Sequence, residues 1–434
     1  MNQKIFSTLF FILSLLSLPT QAGTYTLKEA LERIQDRNLE LPIEDYKIEQ
    51  SETDISRIKA EFNPKLEASL GAGPINKATG DSLNSSEDKN QWGALYIGSI
   101  EFTWPLYCWG RKEDYLKAAN KGISVKQEDK FLKELEIAYN IKKTYFGALY
   151  ATTLLDFIKG ARDDIEKVLE NKKMAEKDRF RLEILKEQIN AREAEIKKNL
   201  DLALHAFRLY TGSVDETLKP KDEWLEITER ELKDFSYYLK IAQENKPEFQ
   251  KLKLGIDAKH LLAKAEYKAN YPVIAFLTKY DFAYTNMRNA QKSTFAYDPY
   301  NGTNAVVGFG FKWSFDFGVT NAKAAKINAE ALELEAQRRY ADEGIPTLIK
   351  KAWLEIEEAD KNLNAQKKAS KLGKQWLTKL MSSASLGIIE SKELVDAYQA
   401  RLLTLKDYYE AIYKHHMAWA ELTLAVGKEI DPTL

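Results

Sequence analysis

The imidazole and thiol side chains able to bind a metal or activate a nucleophile are four histidines, at 205, 260, 415 and 416, and one cysteine, Cys108. His415 and His416 are adjacent, so on a helix they point about 100° apart and cannot chelate one ion as an i, i+4 pair does. A packed histidine in a helical seam is the reading for His415. Cys108 has no histidine near it in sequence, and a single cysteine allows neither an intrachain disulfide nor a thiolate zinc cluster. No Walker loop, G-x-S-x-G or H-E-x-x-H run occurs. These absences point away from an enzyme, a metal centre and a bound cofactor. Glu393 and Asp396 are the remaining candidates. Three positions apart, they share one helical face. From spacing alone they read as solvated acids near a helix start, where the dipole favours negative charge.

The elements that carry these residues belong to a chain of 434 residues, with 64 Lys+Arg against 65 Asp+Glu, a net charge of -1 and 30% charged residues. Its mean hydropathy is -0.45. A balanced charge without a dense basic block argues against a nucleic-acid partner, whose affinity would come largely from phosphate neutralisation. At the N-terminus, Lys4, the apolar run Ile5 to Leu18 and the small residues Thr20-Gln21-Ala22 read as a signal peptide over residues 1–22, cleaved after Ala22. No later window is apolar enough for a membrane helix. The mature chain is expected outside the cytoplasm: periplasmic, secreted, or inserted as a β-barrel.

A repeat organises the rest. Tyr107-Cys108-Trp109-Gly110 maps onto Phe315-Asp316-Phe317-Gly318, and Ile141-Lys142-Lys143-Thr144-Tyr145 onto Ile349-Lys350-Lys351-Ala352-Trp353, both at an offset of 208. Further on, Tyr210-Thr211-Gly212 matches Ala425-Val426-Gly427 at 215. The second copy therefore carries seven extra residues, one heptad, which lengthens a coiled coil without turning its apolar seam. The copies span 23–218 and 219–434. Each reads as helix, strand hairpin (about 65–105 and 273–316), then a pair of long helices.

The strands announce themselves by period two. Leu66, Ala68, Leu70 and Ala72 alternate with polar or small residues, as do Trp92, Ala94, Tyr96, Gly98, Ile100, Phe102 and Trp104. In copy two, Val307, Phe309, Phe311, Trp313 and Phe315 oppose Gly308, Gly310, Lys312 and Ser314. Pro74 to Gln91 and Tyr284 to Asn304 are expected to be hairpin loops. The helical segments show heptad spacing, as in Leu132, Leu135, Tyr139, Phe146, Leu149 and in Leu182, Leu185, Ile189, Ile196. A helix from Lys112 to Asn171 would be about 90 Å long. Gly344-Ile345-Pro346 is expected to bend its counterpart.

Strands of about ten residues with aromatic ends match the apolar band and girdles of an outer-membrane barrel. Four strands cannot close one, because the smallest such barrels have about eight. Closure would need several chains. A small soluble sheet packed under helices, in a periplasmic coiled-coil scaffold or tether without a pore, is the alternative.

The run Leu386-Gly387-Ile388-Ile389-Glu390-Ser391-Lys392-Glu393-Leu394-Val395-Asp396-Ala397, with the repeated strand-to-helix turns, resembles the TolC-type outer-membrane efflux and export channels. In that family a Gly is followed by acids six and nine positions on and by Ala ten on, which Gly387, Glu393, Asp396 and Ala397 match. The family's aromatic-Asp-x-Gly turn corresponds to Asp316 and Gly318 and, with Cys108 in place of Asp, to Gly110. Two departures stand out: the first acid is Glu, and Ile389 occupies a position that is often basic. The resemblance implies a mainly α fold with a β-barrel portion. Four transmembrane strands per chain would close a 12-stranded barrel in a homotrimer, continued by an α-helical barrel into the periplasm. It also implies a passive exit duct of a tripartite efflux or type I secretion system in the bacterial outer membrane, with a periplasmic adaptor (membrane fusion) protein and an inner-membrane transporter as partners. Glu393 and Asp396 would form the gate, and Phe309, Phe311, Trp313 and Phe315 would face outer-membrane lipid.

Overall fold

The computed structural model describes residues 23–80, 84–170, 175–291, 293, 295–384 and 391–430. The expected signal peptide and Gly387 lie outside them. The chain is mainly helical, 67%, with a sheet portion. The elements are β1 (Thr24–Tyr25), α1 (Leu27–Glu32), α2 (Ile34–Arg37), α3 (Leu41–Glu61), β2 (Lys65–Gly80), β3 (Ser85–Tyr107), α4 (Arg111–Leu169), α5 (Glu176–Thr211), β4 (Lys219–Pro220), α6 (Phe235–Asn245), α7 (Pro247–Tyr267), a short 3-10 turn (Lys268–Asn270), β5 (Val273–Thr285), β6 (Gly302–Lys312), α8 (Val319–Ala384) and α9 (Ser391–Val426).

The repeat is written into these bounds. α3 and α7 have 21 residues each, and α5 and α9 have 36 each. α8 has 66 against 59 in α4, so the extra heptad lengthens one helix. Both 36-residue helices end at a left-handed glycine, Gly212 (φ 62°) and Gly427 (φ 75°). A Cβ on Gly212 would collide with the carbonyl of Arg37, so no other residue fits that cap. Pro346 lies inside α8, which continues through it.

Two compact units share the chain, and each takes segments from both repeats. The first holds residues up to Pro42, Leu132–Lys246 and those from Ile345 on. Its largest core joins Ile137, Ile141, Tyr145, Phe146 and Leu149 of α4 to Phe207 of α5, Ile412 of α9, and Leu218 and Leu225. A second cluster packs Ile158, Ala161 and Ile165 against Leu182, Leu185, Ile189, Leu394 and Tyr398. The α5 residues are the predicted seam. On α4 the heptad reading holds at Phe146 and Leu149, whereas Leu132, Leu135 and Tyr139 are half-buried and Ile137, Ile141 and Tyr145 carry the enclosed stripe. The helix that opens copy one is not continuous, and the chain breaks after α2. There Asn38 Oδ1 accepts from the amides of Glu40 (2.8 Å) and Leu41 (3.2 Å), and Nδ2 donates to the Tyr210 carbonyl (2.7 Å).

The second unit, Ile43–Phe131 with Pro247–Gly344, holds the large sheet. Its strand order is β2-β3-β5-β6, antiparallel throughout, with β2 and β6 outermost. The helical part is tied by ion pairs such as Lys251–Asp129 (2.5 Å), Lys259–Glu330 (2.6 Å) and Lys268–Asp114 (2.6 Å). Two sequence expectations are corrected here. Much of Pro74 to Gln91 is strand, because polar cross-strand partners extend the ladder past a bulge at Asn76/Lys77; Lys77 Nζ donates to Gln91 Oε1 at 3.0 Å. Conversely, β6 stops at Lys312, so Trp313 and Phe315 lie in the connection to α8 rather than in the hairpin.

Candidate functional site

Residues directly opposite in an antiparallel pair point to the same face, and the register therefore aligns the alternations of all four strands. Phe311 lies opposite Ile274, Phe309 opposite Phe276, and Val307 opposite Thr278. Phe276 is opposite Trp104, Thr278 opposite Phe102, and Tyr280 opposite Ile100. Phe102 faces Leu66, Ile100 faces Ala68, and Gly98 faces Leu70. Within the paired strands, the apolar alternations read from the sequence thus fall on one face of one sheet. Rings form a row across it: Phe309 to Phe276 at 5.4 Å and Phe276 to Phe102 at 6.1 Å between centroids. Within the chain this face is bare. Leu70 is 83% exposed, Phe309 77% and Phe311 73%.

The other face is mixed, with Ile97, Leu277 and Val306 set among charged and polar residues. It carries Lys65, Glu67, Ser69, Ser99, Glu101, Lys279, Asp281 and Lys312 with Gly308 and Gly310 between them. Ser69 and Ser99 share a hydroxyl hydrogen bond (2.8 Å), and Lys279 pairs with Asp281 (3.1 Å). A sheet with one bare apolar face and one charged face can separate lipid from water.

The strand-to-helix turns repeat in backbone as well as in sequence. Trp109 and Phe317 both take left-handed φ (57° and 49°), each followed by a glycine at positive φ, Gly110 (73°) and Gly318 (123°). Asp316 caps α8: its carboxylate accepts from Gly318 N (3.2 Å), Thr320 N (2.9 Å) and the Thr320 hydroxyl. The Thr320 hydroxyl, then the backbone amides, hold the Asp316 carboxyl below the usual range. Cys108 cannot cap in this way, and burial pushes its thiol up. Copy one holds its turn by another route, with Trp109 Nε1 donating to the Pro272 carbonyl (2.6 Å). Trp313 Nε1 donates to Asn270 O (2.8 Å) and its ring packs on Phe315 (4.7 Å), so two indoles pin the entry to β5. Sequence reading missed these pins, whose one visible signal was a Trp in each turn region.

Glu393 lies in the first turn of α9, and both it and Asp396 are exposed. Leu394, Ala397 and Tyr398, on the opposite side, are buried. Ala397 is fully enclosed, which explains a small residue there, while the two acids share the free face. His415 and His416, each 3% exposed, are packed inside the first unit. Among the described residues no group of His, Cys, Asp and Glu could hold a metal ion, and no helix is long and apolar enough to cross a membrane.

No family model and no curated protein sequence matches the chain. Solved structures do. CusC aligns at a TM-score of 0.74 with 14% identity, over 95% of this chain and 96% of that one. VceC from Vibrio cholerae, an outer membrane protein, aligns at 0.73 with 13% identity, over 93% and 97%. The MtrE outer membrane channel of Neisseria gonorrhoeae aligns at 0.69 with 16% identity, over 93% and 89%. The chain has the TolC-type channel fold. At such identities the likeness is one of fold.

Proposed function

We propose that the chain is one subunit of a passive exit duct that spans the bacterial outer membrane and reaches into the periplasm. The carrying observation is the two-faced sheet: a bare apolar face and a charged face on four strands with unpaired outer edges. In a bilayer each unsatisfied N–H or C=O costs several kcal/mol, so β2 and β6 need partners from other copies. Three chains would close 12 strands, with Phe309 and Phe311 towards lipid, Trp313 and Phe315 at the membrane border, and Lys312 towards water. The likeness to outer-membrane channels across the whole chain supports this reading. Export is driven elsewhere: a periplasmic adaptor and an inner-membrane transporter, in a tripartite efflux or type I secretion system, supply energy and selectivity.

Glu393 and Asp396 form the constriction at the periplasmic end, where three-fold repetition concentrates negative charge on one axis. Planar-bilayer recording tests this. A cation-selective pore is expected, and Glu393→Gln with Asp396→Asn should lose much of that selectivity. Unchanged selectivity and divalent-cation block in the double variant would return both acids to the solvated surface. Recovery of the mature protein in the soluble fraction without detergent would favour a periplasmic scaffold instead.

A further inference from the structure

Residues 221–234, between β4 and α6, have no regular secondary structure, yet side chains fix them to three helices of the first unit. Tyr145 of α4 donates to Asp222 (2.7 Å), and Thr153 Oγ1 accepts from the amide of buried Leu225 (3.2 Å). Trp353 Nε1 of α8 donates to the Lys233 carbonyl (2.9 Å). Between these points the strap meets α9 at His416, whose Nε2 lies 2.8 Å from the Glu226 carbonyl, and at Trp419, under the Arg230 guanidinium.

The histidine geometry fixes protonation. A carbonyl only accepts, so His416 Nε2 carries the proton; a guanidinium only donates, so Nδ1, 3.5 Å from Arg230 Nη1, presents its lone pair. Phe146 of α4 stacks on the same ring at 4.1 Å. His415 places Nε2 3.0 Å from Asp360 Oδ1 of α8, while its Nδ1 is buried without a hydrogen-bond partner. The charged groups that act on His415 are therefore Asp360 from α8 and Arg230 from the strap, with His416 beside it on α9 and the phenyl ring of Phe146 from α4 over that neighbour. A second proton on His416 would set donor against donor at Arg230 Nη1. A second proton on His415 would leave a buried N–H unsatisfied. Burial and the facing guanidinium favour neutral rings, against the pull of the Asp360 carboxylate on His415.

We infer that His415 and His416 are an acid-operated latch that holds the 221–234 strap on α9 at neutral pH and releases it on acidification. Release relieves both conflicts, because Arg230 leaves with the strap and water reaches the rings. The latch is independent of the acids at 393 and 396.

Hydrogen–deuterium exchange on the detergent-purified full chain tests it, read at the Leu225 amide. After correction for intrinsic rates, exchange should rise between about pH 7.5 and pH 5 by about tenfold for the first pKa unit by which the latched state favours neutral imidazole, to a limit of about thirtyfold per histidine. His415→Gln with His416→Gln should abolish that rise, since glutamine can still donate to the Glu226 carbonyl but does not titrate. Protection that is independent of pH in the wild type, or an equal rise in the double variant, overturns the latch. If the double variant does not fold, histidine-labelled wild-type protein decides by NMR. Rings of 415 and 416 that titrate below the ordinary value of about 6.5, with strap exchange rising over the same interval, support it. Titration at the ordinary value with the strap still protected overturns it.

Discussion

Tyr145 sits fully buried where α4, α5 and the strap meet, with its hydroxyl on Asp222 and its ring edge-on to Phe207. Burial, then the neighbouring carboxylate, keeps the phenol protonated far above its ordinary range. Tyr145→Phe should cost about 1.5–3 kcal/mol, the worth of a hydrogen bond to a charged group, read as a lowered denaturation midpoint. His415 gives the opposite dependence on acid. Its pKa is depressed, chiefly by burial, with Arg230 adding to the effect and Asp360 opposing it. The unfolded chain then takes the proton first, so stability falls as pH drops through about 6.5 and the loss is complete below the folded-state value. Urea midpoints at several pH values should show that slope in the wild type and a shallower one in His415→Gln. That His415 is packed was legible from its seam. Its partners were not, because Asp360 and Arg230 reach it from distant segments that no local spacing connects.

At the scale of elements, the two strand-to-helix turns are a natural comparison of one backbone with two chemistries. Cys108→Asp should install in copy one the cap that Asp316 provides in copy two and raise stability. Asp316→Cys should lower it. Differential scanning of the two variants checks the signs. The strands give a graded test of the membrane reading: Val307, central in β6, should tolerate arginine far less than Phe311 near its end, because the cost of about 2–4 kcal/mol at the bilayer midplane falls to about 0–1 near the interface. Lys312→Glu should assemble. Assembly of Val307→Arg as readily as Lys312→Glu would mean that this face does not meet lipid. Period two brought the apolar residues of β2, β3 and β6 to one face, since that alternation is a direct imprint of the sheet, while β5 was not read. It failed at Pro74–Gln91, where the ladder runs on through polar pairs that carry no apolar signal, and at Trp313 and Phe315, where the pattern outlasts the strand.

For the whole molecule, detergent-extracted protein should have the mass of three chains, and a stable monomer at high concentration would contradict barrel closure. One feature of the sheet also governs how such a chain comes into being. Its central seam joins β3 to β5, pairing Leu95 with Thr285, 190 positions along the chain. Closing so wide a gap is entropically expensive and slow, and topologies of high contact order fold late. The first hairpin must therefore wait, its apolar face and both edges uncovered, until α4, α5, α6 and α7 have all been delivered. Pulse-labelled refolding should find the β2–β3 ladder protected well before the β3–β5 seam. During that interval the hairpin is a template for wrong partners, and shielding that one early hairpin would suppress misassembly.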